Sequence, residues 1–362
     1  MRLYKRAQPS RFWVYFAPLL ALLLTLLSGL LLFLLIGVPV TEAMYAFFIE
    51  PLSDSYALAE LGVKAAPLIM IGVALSVGFR AGVWNIGAEG QLIVGAIAGS
   101  AVALQFYEVE ALWVLPLMCV AGVIGGMVWA AIPALLRTYA NASEILTSLM
   151  LTYVAALLLS YMVHGPMRDP DGFNFPESRL FHEAATLPLL LDGTRLHIGF
   201  AVALILVLLV WIFMSRTMTG FSLLVTGSAP RAGRYAGFGE HRAVWFSLLF
   251  GGAVAGLAGL FEVAGPIGQL LPAISPGYGF SAIIVAFVGR LHPVGALFAG
   301  LLLALSYLGG ETAQISFNLP VAVTSVFQGL LLFYLLAADV LILYRFTPES
   351  NPLVSDALHS KP

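Results

Sequence analysis

The chain is poor in charge, in lysine and in cysteine, and each shortage removes a class of protein. Only 10% of its 362 residues are Asp, Glu, Lys or Arg, where a soluble domain carries about a quarter. With 60% hydrophobic residues and a mean hydropathy of +0.96, the composition excludes an ordinary soluble fold. The single cysteine, Cys119, excludes an internal disulfide and a cysteine-based metal centre, and in its apolar run it reads as a small core residue. The only lysines are Lys5, Lys64 and Lys361. None follows a G-x-x-x-x-G-K-[ST] loop, so the chain carries no ATP site of that kind. The six histidines have no metal-ligand spacing, and neither H-E-x-x-H nor G-x-S-x-G occurs, so no metal site and no hydrolytic centre is expected. The net charge of -2 argues against a nucleic-acid partner.

What is present is a series of long apolar runs. A helix needs about 20 apolar residues to cross a bilayer. Ten segments qualify or nearly do, at roughly 13–38, 62–79, 87–105, 112–136, 144–163, 196–214, 244–264, 279–290, 294–310 and 321–344. The first is too long for a signal-peptide core and has no cleavage pattern behind it, so it is expected to stay as a membrane helix. The reading is an all-α polytopic membrane protein of about ten transmembrane helices, one permease-like domain over 1–362. Some helices are broken, and two pseudo-related halves (about 60–165 and 240–345) are expected.

Charge sets the expected orientation. With both termini cytoplasmic, every basic residue except Lys64, Arg168, Arg179 and Arg195 falls on the cytoplasmic side, as the positive-inside rule demands. Residues 1–12 and 346–362 are then a cytoplasmic segment and tail, 164–195 is an external loop, and 215–243 is a basic cytoplasmic loop. Inside that loop Pro230 suits the first position of a short helix with Ser228 as its cap, and Gly237 and Gly239 suit its end.

The stretch Phe79–Gly95 is the anomaly. Arg80, Asn85, Glu89 and Gln91, with glycines at 82, 87, 90 and 95, interrupt membrane-grade sequence. Polar groups and irregular backbone at bilayer depth survive only where protein or a cavity surrounds them. Two readings stay open: a half-helix end that lines or gates a path, or a purely structural cap in which Asn85 closes the helix and Glu89 pairs with Arg80. Trp84 and Phe280 fall in irregular regions, where an aromatic ring could stack on a base or sugar. Gly95/Gly99 and Gly252/Gly256 have the spacing of close helix packing. Glu144, Glu262 and Asp339 lie near span ends, where an acid costs less than the about 2.5–3.5 kcal/mol of a helix centre. No chain of acids in the sequence suggests an ion relay, yet an ion-coupled secondary transporter of small polar solutes stands as the alternative.

At this point a resemblance enters. Gly82-Val-Trp-Asn-Ile-Gly-Ala-Glu-Gly-Gln91 resembles the N-I-G-x-E-G-Q signature of permease subunits of bacterial ABC importers for nucleosides and simple sugars (branched-chain amino acid/ribose-like permeases). Asn141–Tyr153 is similar to that family's N-E-V-x-x-T-x-M-x-N-Y segment, with Ala-Ser inserted after Asn141 and Thr152 where Asn is common. The resemblance implies a permease in the bacterial cytoplasmic (inner) membrane that is no enzyme itself. It implies a cytosolic ABC ATPase subunit holding ATP and Mg, a second permease subunit forming a heterodimer, and an extracytoplasmic substrate-binding protein. On this reading Asn85, Glu89 and Gln91 are expected at the path or gate, with Trp84 and Phe280 beside them as aromatic candidates from the irregular regions. Thr219-Gly-Phe and Tyr235-Ala-Gly237 resemble the family's ATPase-contacting segment, so Gly220, Tyr235, Ala236 and Gly237, together with Pro230, Arg231 and Arg234 of the expected short helix, are expected to couple to the ATPase. No cofactor is expected on this chain.

Overall fold

Each of the ten apolar segments is helical in the structure, a computed structural model that describes residues 2–6 and 11–347. The tail beyond residue 347 and the side chain of Asp339 lie outside the described residues. Thirteen helices run in chain order among the described residues: α1 (Arg11–Ile36), α2 (Val40–Phe48), α3 (Ser55–Arg80), α4 (Ala88–Gln105), α5 (Val114–Ala140), α6 (Glu144–His164), α7 (Gly199–Arg216), α8 (Met218–Ser228), α9 (Pro230–Tyr235), α10 (Glu240–Glu262), α11 (Tyr278–Val288), α12 (Pro293–Phe317) and α13 (Ala322–Leu343). Seven of the described helices are long and apolar enough to cross a membrane: α1, α3, α5, α6, α7, α10 and α12. α4 and α11, the two that start at chain breaks, are not among them.

The chain divides into two compact units. Met1–Ala46 and Ala313–Pro362 make one. There α1 packs on α13, with Phe33 against Phe327 and the hydroxyls of Ser28 and Tyr334 2.7 Å apart. Two short strands, β1 (Arg2–Lys5) and β2 (Tyr344–Thr347), pair antiparallel in this unit.

The second unit is Phe47–Thr312. Its helix ends follow from local chemistry. Asp54 caps α3 by accepting from Ala57 N (2.7 Å), and Thr217 caps α8 by accepting from Gly220 N (3.0 Å). Asn141 closes α5 in the left-handed region (φ 52°), which an asparagine tolerates better than most residues. In the most apolar stretch of α3, 89% of residues are buried, against 22% in those of α5, α6 and α7. So α3 is an inner post, and the other three turn apolar faces outward as lipid-contacting helices do.

Around α3, the core forms where α10 packs on α3, α4 and α5. Between apolar helices in lipid there is no water to expel, so close backbone contact has to supply the attraction. The glycine pairs supply it. A Cβ at Gly95 would lie 2.2 Å from the Gly256 Cα, and one at Gly252 would lie 2.5 Å from the Gly126 oxygen.

Candidate functional site

Residues 81–87 break the chain between α3 and α4, and side chains hold the break in place. Asn85 and Gln91, 3% and 1% exposed, satisfy each other through a reciprocal amide pair: Asn85 Nδ2 donates to Gln91 Oε1 (2.8 Å) and Gln91 Nε2 donates to Asn85 Oδ1 (3.1 Å). The same Asn85 oxygen accepts from Gly87 N (3.1 Å). α6 supplies the remaining acceptors: Glu144 Oε1 takes Trp84 N and Ser148 Oγ takes Ile86 N, both at 3.2 Å. Arg137 at the end of α5 donates to the same Glu144 oxygen and fixes it. The two segments that carry the family resemblance, 82–91 and 141–153, are therefore packed on each other.

Glu89 corrects an expectation. It does not pair with Arg80. Its Oε2 accepts from Gly279 N at 2.6 Å, in the first turn of α11. The carboxylate thus sits at two helix N-termini at once, its own α4 and α11, where the dipoles favour negative charge. The backbones touch there: a Cβ at Gly279 would lie 2.2 Å from Glu89 N. Phe79, Trp84 and Phe287 pack ring against ring, with centroids 5.1–5.8 Å apart. Trp84 and Phe280 stay 39% and 38% exposed, so both keep ring surface open.

A second break follows α10. One turn of π-helix (Val263–Ile267) leads through Gly268 (φ 79°) to an irregular stretch ending at α11. Such π turns are frequent at functional sites. Here the 164–198 segment does the holding, and it is an ordered structure, more than a hydrophilic loop. Ser178 N donates to Leu270 O (3.0 Å), Phe181 N to Gly268 O (2.8 Å) and Leu187 N to Ala264 O (2.9 Å). His197 is buried where Gly265 leaves room, and its Nδ1 accepts from Gly199 N (3.1 Å). Burial pushes His197 down to about 4, so its ring is neutral. Arg195 forms a two-pronged ion pair with Glu60, and this hydrogen-bonded partner holds the guanidinium above its ordinary range. Lys64 pairs with Glu311 at 2.7 Å.

The 215–243 stretch contains two helices, α8 and the six-residue α9. Pro230 opens α9 and Gly237 (φ 81°) follows its end, as expected. Ser228 is not its cap. α8 runs through it, and the hydroxyl turns back to Leu224 O (2.8 Å), four residues earlier. Gly220 packs against Phe213 O, whereas Pro230, Arg231, Arg234, Tyr235, Ala236 and Gly237 are exposed, Tyr235 to 97%. One contact ties this surface to the first break: a Cβ at Gly227 would lie 2.0 Å from Arg80 O. Alongside, a cleft of about 510 Å³ is lined by Arg137, Asn141, Glu144, Glu240 and His241. A smaller one of about 170 Å³ lies between Gly82, Val83, Gly227 and Pro230.

The sequence reading missed Ser148, Gly279 and Gly227 as partners of the break. The glycines were visible as residues without side chains, but nothing in their spacing named what approaches them.

Comparison with known proteins gives a consistent result. A family model described as Branched-chain amino acid transport system / permease component matches residues 57–336. The chain is 38% identical to the Glucose ABC transporter permease protein TsgB13 of Haloferax volcanii, over 98% of this chain and 96% of that one. It is 30% identical to the Guanosine ABC transporter permease protein NupP of Bacillus subtilis, over 88% and 91%. With the Nucleoside ABC transporter permease protein NupB of Lactococcus lactis the identity is 27%, over 88% and 89%.

Proposed function

The chain belongs to the branched-chain amino acid transport system / permease component family and is a multi-pass permease subunit of an ABC importer; on that premise we propose that it carries nucleosides or related simple sugars across the cytoplasmic membrane. The names of its relatives support the solute class, since they include glucose, guanosine and nucleoside permeases. A cytosolic ATPase subunit binds ATP and Mg and docks on α9 through Arg231, Arg234, Tyr235 and Ala236. A second, non-identical permease completes the pore, and an extracytoplasmic binding protein delivers the solute. Both termini are cytoplasmic, and the helices number ten across the bilayer in two related halves. No cofactor binds this chain.

In this reading the six-residue α9 is the part that the ATPase moves. α8 carries that movement to residues 80–82, because Gly227 meets the Arg80 backbone without an intervening side chain. This contact is the observation that carries the mechanism. The break at 81–87 then acts as the gate element. Asn85, Glu89 and Gln91 keep its shape, while Trp84 and Phe280 offer aromatic surface to the passing ring. Gly220 sets the tight turn from α7 into α8.

Reconstitution in proteoliposomes tests the proposal. The chain with its second permease, ATPase subunit and binding protein should take up labelled guanosine or glucose only when ATP is supplied. The chain alone should hydrolyse no ATP and should take up neither solute under a proton or sodium gradient. Gradient-driven uptake by the chain alone would restore the secondary-transporter alternative.

A further inference from the structure

We propose that residues 167–179 form a docking knob for the extracytoplasmic binding protein, with Phe173 and Phe175 as its contact residues. The proposal rests on the permease reading above and on the external side assigned to the 164–195 segment, and it names where on this chain that partner seats.

The loop is built to hold apolar rings in the open. Phe173 is 93% exposed and Phe175 63%. Phe173 and Asn174 both stand in the left-handed region (φ 48° and 73°), an uncommon place for a bulky residue. A set of bonds holds them there. Arg168 Nη1 donates to Asn174 Oδ1 (2.7 Å), Phe175 N to Gly172 O (2.9 Å) and Asp169 N to Glu177 O (2.8 Å). Arg179 pairs with Asp169 and Asp171 at 3.3 Å each and lies over the Tyr107 ring, 5.5 Å from its centroid. The base of the loop is joined to the second break: Leu270 N donates to Ser178 Oγ (2.9 Å) and Gln269 Nε2 to Glu177 Oε2 (3.0 Å). Phe173 thus combines a strained backbone with almost full exposure, and neither stabilises the chain by itself. A pre-shaped aromatic surface loses little freedom on binding, and aromatic side chains are frequent anchors of protein interfaces.

Charge selects a protein over lipid as the occupant. A segment that lies among lipid headgroups sets its aromatics beside Lys and Arg. Residues 164–195 contain no lysine, and their three arginines are all engaged: Arg168 with Asn174, Arg179 with Asp169 and Asp171, and Arg195 with Glu60. The segment's Glu183 and Asp192 are exposed, and so are Glu108 and Glu110 on the turn that carries Tyr107. The occupant that complements this surface is a protein face with an apolar hollow for the rings and basic residues around it. Because Glu177 and Ser178 bond the loop to residues 269–270, a partner seated on Phe173 bears directly on the second break.

The test measures the affinity of the purified binding protein for the complete transporter in nanodiscs. Phe173→Ala and Phe175→Ala should each weaken it by about tenfold. Sub-saturating uptake in proteoliposomes should fall by a similar factor. It should recover when the binding protein is raised by about the same factor, which a folding defect would not allow. Unchanged affinity in both variants, or an uptake loss that excess binding protein does not restore, would overturn the knob. An environment-sensitive dye on Phe173→Cys, in a Cys119→Ala background, decides against lipid. Its emission should stay water-like in nanodiscs and shift to the blue when the binding protein is added. Blue emission before that addition would place residue 173 in lipid and overturn the proposal. Wild-type transporter that binds no binding protein, with or without solute, would instead defeat the partners proposed above.

Discussion

Residues 81–87 and residues 268–277 both interrupt apolar sequence, and both deliver the chain to a shorter helix, α4 or α11. They are secured by different means. In the first, side chains do the work: Asn85 and Gln91 close on each other, and Glu144 and Ser148 reach in from α6. In the second, most of the work falls to the backbone of 178–187, which satisfies that of 264–270, with the Ser178, Glu177 and Ser275 side chains adding hydrogen bonds. A break held by buried side-chain pairs is fixed in shape near those pairs. The polar-rich motif thus fixes the first break locally, while the second break depends on a distant segment of the chain.

Three experiments break or sharpen this contrast. The harshest is Gly279→Ala, where the starts of α4 and α11 meet. Its Cβ would collide with the Glu89 backbone, which cannot rotate away as a side chain can. A loss of about 3 kcal/mol is expected, seen as failure to recover monodisperse protein in detergent. Normal recovery would mean that the α4 and α11 ends are not in contact. Next is Glu89. Glu89→Ala strands the Gly279 N–H and should cost about 2 kcal/mol, measured as a lower thermal unfolding midpoint. Glu89→Gln keeps an acceptor oxygen and should cost less than half of that, while transport falls in an assembled complex. Equal midpoints for the two variants would show that Glu89 does not cap α11.

The mildest test is pH. The His197 value is about 4 in the fold against an ordinary value of about 6.5. Because the folded value is the lower one, the stability tied to neutral His197 is complete above about pH 6.5 and is lost as pH falls towards 4. By pH 5.5 the loss should be about 1 kcal/mol. Hydrogen exchange, corrected for intrinsic rate, should show weakened protection at the amides of Phe181 and Leu187. The amides of Ile86 and Gly87 should not change, since the first break holds no histidine. Equal weakening at both breaks would contradict their separate support.

Much of the helical layout could be read from the sequence, because it follows from local rules. Run length gave the ten helical segments, Pro230 and Gly237 framed α9, and the G-x-x-x-G spacings marked real close crossings at Gly95 and Gly252. The candidate site was only half legible. Asn85 and Gln91 lie six residues apart and their polar character stood out. Proximity in sequence offers Arg80 as one partner for Glu89, but the hydrogen-bond partner it has is 190 residues away. Ser228 was given a capping role because serines cap helices, yet α8 extends through it and its hydroxyl bonds backwards. Periodicity describes one helix at a time. It carries no record of which two helix ends will meet.

The contact at Gly227 also has a mechanical consequence. Side chains between two helices act as springs, since each can change rotamer and absorb a small shift. Between α8 and residues 80–81 there is peptide against peptide, with no rotamer to spend. A displacement of α8 therefore has no slack to use up before the first break is driven, in either direction. The linkage has no backlash, and any side chain introduced at residue 227 would hold it permanently pushed.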